Sequence, residues 1–420
     1  MVDVWLPYGN TEVCLRIPTR NYLGTIGPRD KKGAEDPESE IERSLEEPIG
    51  TDRLSDIAKP GEKVSIVVSC VEDSEHAEFI LKTILKELNK ANVENKDVSI
   101  IKGYDPLRGY PAIDDPQLQN DETFRGVELI THNPETENMV EVGKTSFGTE
   151  IGLSRMFMES DLKILAGILD PHPYAGYSGG RYCVLPGVSS PETIQQTLSL
   201  VTDPMARSGM TKGNPVHENM VEATGLARVD FTLNVVKNSK REVVRAFAGH
   251  PDDAFISGVE FADEIYKVPV EKRADAVFVS PGGFPYDVDL YESCMGVNNA
   301  LDVVKKNGTI ILVAECSKGY GNADFRTWIV EARDLNRIER QLRRRFSVAA
   351  YVARSFITLL QRSEVVIVSS LPDFFGVGVL NVKTARTVNE AIRYFSDASG
   401  RNASVLAISH GSITIPVLVR

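Results

Sequence analysis

Several short stretches of this chain are apolar on consecutive residues, and they restrict its fold more than any other feature. VSIVVS (Val64–Ser69), VSIIK (Val98–Lys102) and KILAGIL (Lys163–Leu169) form an early group. DAVFVS (Asp275–Ser280), TIILV (Thr309–Val313), VVIVS (Val365–Ser369) and SVLAI (Ser404–Ile408) form a late one. A strand that is apolar on both faces must be covered on both, which is the condition of a parallel sheet flanked by helices. Between the first two runs Ile80, Leu81, Ile84, Leu85 and Leu88 recur at helical spacing, so strand, helix and strand make a right-handed βαβ unit. Helical patterns also separate the late runs, the longest from about Asp324 to Leu360.

At 420 residues the chain is long enough for two domains. FADEIYKVPVEKRAD, an amphipathic helix entering a charged, Pro-containing connector, marks the junction, giving domains at 1–266 and 267–420. The expected class is α/β: two domains with Rossmann-like parallel sheets and a ligand cleft between them. The opening stretch alternates like a strand and ends near Ile17, and the charge-dense segment from Arg29 to Glu47 is expected to run over the surface.

Charge and motifs remove several function classes. The 59 acidic residues outnumber 47 basic ones, for a net charge of -12, so no nucleic-acid or anionic-membrane partner is expected. No apolar run reaches the length that spans a bilayer, and the N-terminus lacks a signal-peptide layout. Cys14, Cys70, Cys183, Cys294 and Cys316 are scattered, with no CxxC pair, which fits a reduced, cytoplasmic protein. There is no HExxH pair, GxSxG elbow or P-loop.

In open α/β sheets ligands sit beyond the C-terminal ends of the strands, so the loops there carry the candidate chemistry. The densest is GILDPHPYAGYSGGRYCVLPG, Gly167 to Gly187. Its glycines let backbone N–H groups approach an anion, with Ser178, Gly179, Gly180 and Arg181 as a nest; the same loop also reads as a tight structural turn. A second loop, SPGGFPYDVDLYES (Ser280–Ser293), brings Asp287, Asp289, Tyr291 and Glu292 to the start of a helix, where capping alone accounts for acidic residues. ECSKGYGNADF (Glu315–Phe325) repeats the strand-then-glycine layout. Of the histidines only His172 sits in a chemically suggestive setting. His76, His132, His217, His250 and His410 read as solvated or hydrogen-bonded structural side chains.

PHPYAGYSGGRYCVLPGVSSPETI resembles the signature of the lactate racemase family. The likeness extends to LPYG (Leu6–Gly9), GNPVHENM (Gly213–Met220), VDFTLNVV (Val229–Val236), AGHPDDAFISGVEFA, SPGGFPYDVDLYES and ILVAECSKGYGNADF. It implies two α/β domains that hold a nickel-pincer nucleotide and a 2-hydroxy acid in the cleft between them. It also implies an acid/base role for His172. The family lysine that attaches the cofactor as a thioamide is matched by Tyr182, and the nickel-ligating histidine by Leu198, so the usual covalent cofactor is not expected and no metal ligand is assigned. The Asp and Arg of a D-x-T-R loop are matched by Cys70 and Asp73, reversing the charge where a carboxylate would dock. The second acid/base histidine aligns with Asp105, and the Tyr-Gln-x-x-Lys pattern reads Tyr291, Glu292, Ser293, Cys294, Met295.

Asp73, Asp105 and Glu292 add negative charge around His172, a set that suits a divalent cation or a polyhydroxy ligand. The expected activity is racemisation or epimerisation of a hydroxy acid or sugar acid by proton transfer between His172 and Asp105. Asp73, Ser178, Gly179, Gly180, Arg181, Tyr182, Tyr291 and Glu292 would bind the small-molecule substrate. The alternatives are a non-catalytic ligand- or partner-binding protein on the same scaffold, or a racemase holding the pincer nucleotide non-covalently.

Overall fold

The computed structural model of the chain describes residues 1–69, 74–107, 121–332, 334–372, 380, 382–399 and 402–419. They divide into two units: Met1–Arg29 with Ile265–Arg420, and Asp30–Glu264. The later boundary falls beside the expected one at 266/267, but the first 29 residues belong with the C-terminal unit, not with 30–264. The reason is strand pairing. The opening stretch is a hairpin, β1 (Val2–Tyr8) against β2 (Thr11–Ile17), and the following β3 (Tyr22–Ile26) lies parallel to a strand near the C-terminus.

Unit 30–264 is built on a six-stranded sheet. Its strands are β4 (Val64–Val68), β5 (Val98–Lys102), β6 (Glu128–Thr131), β9 (Leu162–Ile168), β12 (Phe231–Lys237) and β13 (Val243–Gly249), in the order β13-β12-β9-β4-β5-β6. All neighbours are parallel except β12 and β13. Between β6 and β9 lies the antiparallel pair β7 (Met139–Lys144) and β8 (Glu150–Ser154), and after β9 the two-residue strands β10 (Pro171–His172) and β11 (Gly176–Tyr177) pair with each other. Ile80, Leu81, Ile84, Leu85 and Leu88 of the helix Ser74–Lys90 are all buried against the sheet core, as their spacing requires. Each such side chain contributes about 2 kcal/mol by leaving water.

The charge-dense segment expected to run over the surface contains helix α1 (Pro37–Glu46). Asp36 caps it by accepting the Glu38 N–H, and proline occupies its first turn. Two apolar residues one turn apart, Ile41 and Leu45, are fully buried and suffice to dock an otherwise charged helix. The helix Ser74–Lys90 is α2; α3 (Pro191–Leu198), α4 (Pro215–Ala227) and α5 (Asp253–Tyr266) follow.

The other unit carries β14 (Lys267–Val270), β15 (Ala274–Val279), β16 (Val304–Val313), β17 (Glu364–Val368), β18 (Lys383–Ala385), β19 (Val405–Ile408) and β20 (Ile415–Leu418). The charged connector thus includes a strand, β14, paired with β20. The main sheet runs β18-β17-β16-β15-β19-β3, all parallel. Helix α6 (Leu290–Val297) follows β15. The long helical stretch expected from Asp324 to Leu360 is broken into pieces, the longest Leu335–Arg344 and Val348–Arg362, because Asp334 and Ser347 each cap a new helix. Among the described residues no helix is long and apolar enough to cross a membrane.

Candidate functional site

In unit 30–264 the chain order of the strands reverses between β4 and β9, and the crevice beyond their C-terminal ends is where an open α/β sheet binds ligands. His172 stands four residues past the end of β9, in the tight hairpin of β10 and β11. Its imidazole is almost wholly buried, edge-on to the Tyr174 ring at 4.4 Å between centroids and 4.7 Å from the Tyr182 ring. The Ala175 N–H donates to its Nδ1 at 3.1 Å. A nitrogen that accepts cannot carry the proton, so the neutral ring is the Nε2–H tautomer.

Tyr182 links His172 to Asp105. Its hydroxyl donates to Asp105 Oδ1 at 2.9 Å and lies 3.1 Å from the Tyr174 hydroxyl. With the Tyr182 proton directed to Asp105, Tyr174 is the donor of the second bond. Burial, then the neighbouring Asp105 and Tyr174, hold the Tyr182 phenol well above its ordinary pKa, so it stays protonated. Asp105 is half-buried, and the Leu107 N–H also donates to its Oδ1 at 2.8 Å. His172, Tyr182 and Asp105, singled out in the sequence from three different family positions, therefore come together.

The proposed anion nest is used by the fold itself. The Ser178 N–H bonds the Asp170 carbonyl, its hydroxyl donates to the Ile168 carbonyl at 2.8 Å, and the Gly180 N–H donates to Asn234 Oδ1 at 2.7 Å. The glycines answer to packing: φ is +75° at Gly179 and +42° at Gly180, and a Cβ on Gly180 would meet the Phe255 ring at 2.5 Å. Arg181 is likewise turned into the protein. Its guanidinium donates to His217 Nε2 at 3.1 Å and to Asp252 Oδ1 at 2.9 Å, and lies over the Phe255 ring at 4.2 Å. His217 in turn bonds the Ala175 carbonyl through Nδ1 at 3.2 Å. Burial and the Arg181 charge push the His217 pKa down to about 3, keeping it neutral.

Other expected residues have separate fates. Asp73 and Cys70 lie outside the described residues. Tyr291 and Glu292 belong to the other unit, in the first turn of α6. Tyr291 packs edge-on to Phe325 at 5.5 Å, and the Glu292 N–H is capped by Asp289 Oδ1 at 2.8 Å. Asp287 is fully buried, its Oδ2 accepting the Gly9 N–H at 2.7 Å and the Glu315 N–H at 3.1 Å. The acidic loop is thus a set of backbone ties and caps. Among the described residues no group of three His, Cys, Asp or Glu side chains is placed to hold a metal ion. His132, among the histidines read as structural, is fully buried and paired with Glu137 at 2.9 Å.

Tyr174, His217, Asn234, Asp252 and Phe255 complete the site's surroundings and were not picked as site residues. The one visible signal was Asn234, a lone amide in the apolar strand FTLNVVK.

The chain matches the lactate racemase N-terminal domain over residues 8–209 and the lactate racemase C-terminal domain over 270–417. Fold and site together place it in a class of two-unit α/β proteins with a histidine at the switch point of the first sheet. It belongs to the lactate racemase family. It is 29% identical to the lactate racemase of Thermoanaerobacterium thermosaccharolyticum over the full length of both, and 27% identical to that of Lactiplantibacillus plantarum over 98% of this chain and 99% of the relative. The apoprotein structure of the Thermoanaerobacterium racemase matches with a TM-score of 0.87 over 99% of this chain and all of that one. A protein from Thermotoga maritima, 19% identical, shares the fold at a TM-score of 0.63 over 93% of this chain and all of that one.

The pincer cofactor implied by the resemblance does not fit the residues in its place. Tyr182 offers a phenol already bonded to Asp105 and Tyr174, with no amine to form a thioamide. Leu198, at the end of α3, is a buried hydrocarbon side chain with no donor atom.

Proposed function

We propose that this chain is a divergent racemase or epimerase that acts on a hydroxy acid or sugar acid by proton transfer, without a covalently attached cofactor. The observation that carries the reading is the His172–Tyr182–Asp105 assembly at the β4/β9 switch point. Its two ends have opposite roles. Asp105 is the proton acceptor, with the Tyr182 hydroxyl holding its carboxylate in place. His172 presents Nε2–H, so it acts as a neutral donor to an oxygen on which negative charge develops. Asp105 takes the proton next to the substrate carboxylate, leaving a planar enediolate, and the same carboxylic acid gives a proton back to the other face once the intermediate has turned over in the site, which inverts the centre. A buried site excludes water and strengthens both interactions.

The test follows deuterium. The chain is incubated in D2O with single stereoisomers of short 2-hydroxy acids and of sugar acids, and proton NMR follows exchange and inversion at the 2-position. Exchange with inversion that drops at least about a hundredfold in His172→Asn supports the reading. Asparagine keeps an acceptor for the Ala175 N–H, so the fold should survive. Absence of exchange across the panel overturns it. A second reading, a ligand-binding protein without turnover, draws on the internal use of the Ser178 and Gly180 groups. Saturable binding by calorimetry with no exchange would favour it.

A further inference from the structure

We propose that helix Leu335–Arg344 is a docking surface for a second copy of this chain, which it meets on the acidic side of α1. The proposal does not use His172 or its neighbours, and it stands or falls without the proposed reaction.

The helix is charged in one sense and on one side. Its ten residues hold Arg337, Arg340, Arg343 and Arg344 against a single acid, Glu339, and Arg345 follows directly. Ile338 and Leu342 are fully buried, whereas all five arginines are exposed. At 3.6 residues per turn the four helical arginines fall on the side opposite Ile338 and Leu342. Glu339 is paired instead with Arg354 of the following helix at 3.0 Å. Among the described residues none of the five arginines forms an ion pair, although acids outnumber bases 59 to 47 in the chain. Other helix cations do: Arg43 of α1 meets Glu40 at 2.7 Å, and Lys82 of α2 meets Glu78 at 2.6 Å. Arginines at the end of a helix are explained by its dipole, which accounts for Arg343, Arg344 and Arg345. The same dipole disfavours Arg337 in the first turn, so local helix stability does not explain the whole stripe.

A second copy offers the complement. In α1, Glu38, Glu42 and Glu46 recur at i, i+4 and i+8 along one side. Glu38 and Glu46 are exposed and form no ion pair among the described residues, and Glu42 is shared with Lys86. From Arg337 to Arg344 the helix rises about 10 Å, and from Glu38 to Glu46 about 12 Å. Laid antiparallel, Arg344 meets Glu38, Arg337 meets Glu46, and helix ends of opposite sign lie together. Guanidinium forks hold carboxylates through two parallel bonds, which suits arginine where lysine would give a single point of charge. An extended polyanion is the poorer fit, since beyond this helix it would meet a chain whose net charge is -12. Exposed ion pairs are weak one by one, so the association is weak and strongly dependent on salt.

Sedimentation velocity on the full chain at rising concentration, in about 20 mM and about 500 mM sodium chloride, reads the contact. Self-association at low salt that weakens at least about tenfold at high salt is expected. The triple variant Arg337→Glu, Arg340→Glu, Arg344→Glu and the double variant Glu38→Lys, Glu46→Lys should each stay monomeric at low salt. Combined in one chain, the two sets exchange the signs across the contact and should bring self-association back, although that chain is more acidic overall than the wild type. Recovery separates a paired contact from a general effect of net charge. The altered side chains are exposed, so melting should shift little. Should the triple variant fold poorly, Arg337→Gln, Arg340→Gln and Arg344→Gln together carry the same expectation. The proposal is overturned by a wild type that is monomeric at both salts or associates regardless of salt. It is equally overturned if either variant associates like the wild type, or if the combined chain stays monomeric.

Discussion

Two loops occupy equivalent places in the two units, each following a buried parallel strand and each rich in glycine and polar residues. In the loop after β9, His172 packs against the Tyr182 ring, and the Tyr182 hydroxyl reaches Asp105, so a polar side chain bonds a polar side chain. In the loop after β15, Asp287 and Asp289 bond backbone N–H groups: Gly9 and Glu315 in one case, the first turn of α6 in the other. The difference separates the arrangement proposed as reactive from one that ties the fold. Asp287 is fully buried and its Oδ2 ties two backbone amides, whereas half-buried Asp105 takes one backbone amide and a phenol.

The widest expected contrast is in stability. Asp287→Ala leaves two N–H groups in a fully buried setting without their acceptor, each bond to a charged group being worth about 1.5 to 3 kcal/mol. A loss of about 4 kcal/mol in urea unfolding is expected, against about 1 kcal/mol for half-buried Asp105→Ala. Equal losses at the two positions would erase the distinction between the loops.

Much of the scaffold was legible and some of the site was not, for a common reason. The strands and α2 announce themselves because burial on one or two faces writes a periodic pattern into consecutive residues, as with Ile80, Leu81, Ile84, Leu85 and Leu88. Helix α1 escaped because Ile41 and Leu45 alone dock it, too few to outweigh the charges around them. The N-terminal hairpin and β3 looked like the start of the first domain because pairing across the chain leaves no local trace. In the site, His172, Asp105 and Tyr182 were visible, although Tyr182 stood out as a departure and turned out to be the bridge. Arg181 was read as an anion ligand since its partners, His217 and Asp252, lie 36 and 71 positions away in the chain. A flexible charged side chain beside glycines suggests a nest until packing is known.

The first loop's support makes a pH prediction of intermediate size. His217 has a folded pKa of about 3, below its ordinary value near 6.5. Below the ordinary value the unfolded chain takes up a proton that the folded chain refuses. The stabilisation is therefore complete above about pH 6.5 and is lost as pH falls toward 3. At pH 5 this amounts to about 2 kcal/mol. The measurement is urea unfolding at pH 5 and pH 7.5 for the wild type and for His217→Gln, and the wild type should lose about 2 kcal/mol more than the variant. Equal losses would mean that His217 is protonated in the fold, so that its Nε2 could no longer accept from Arg181.

The smallest stability effect should accompany a clear functional one. Tyr182→Phe keeps the ring against His172 and removes only the hydroxyl that joins Asp105 to Tyr174. Its two hydrogen bonds, to Asp105 and from Tyr174, are lost, and because half-buried Asp105 regains water the cost in unfolding is about 1 kcal/mol. Asp105 is no longer held by the phenol, so exchange at the substrate carbon should slow by about tenfold or more while the binding constant changes little. This variant sharpens the comparison because its two readouts diverge, whereas in the loop after β15 a lost bond is felt in stability alone. If Tyr182→Phe melts several kcal/mol lower with exchange intact, the phenol is a structural tie like Asp287, and the two loops are of one kind.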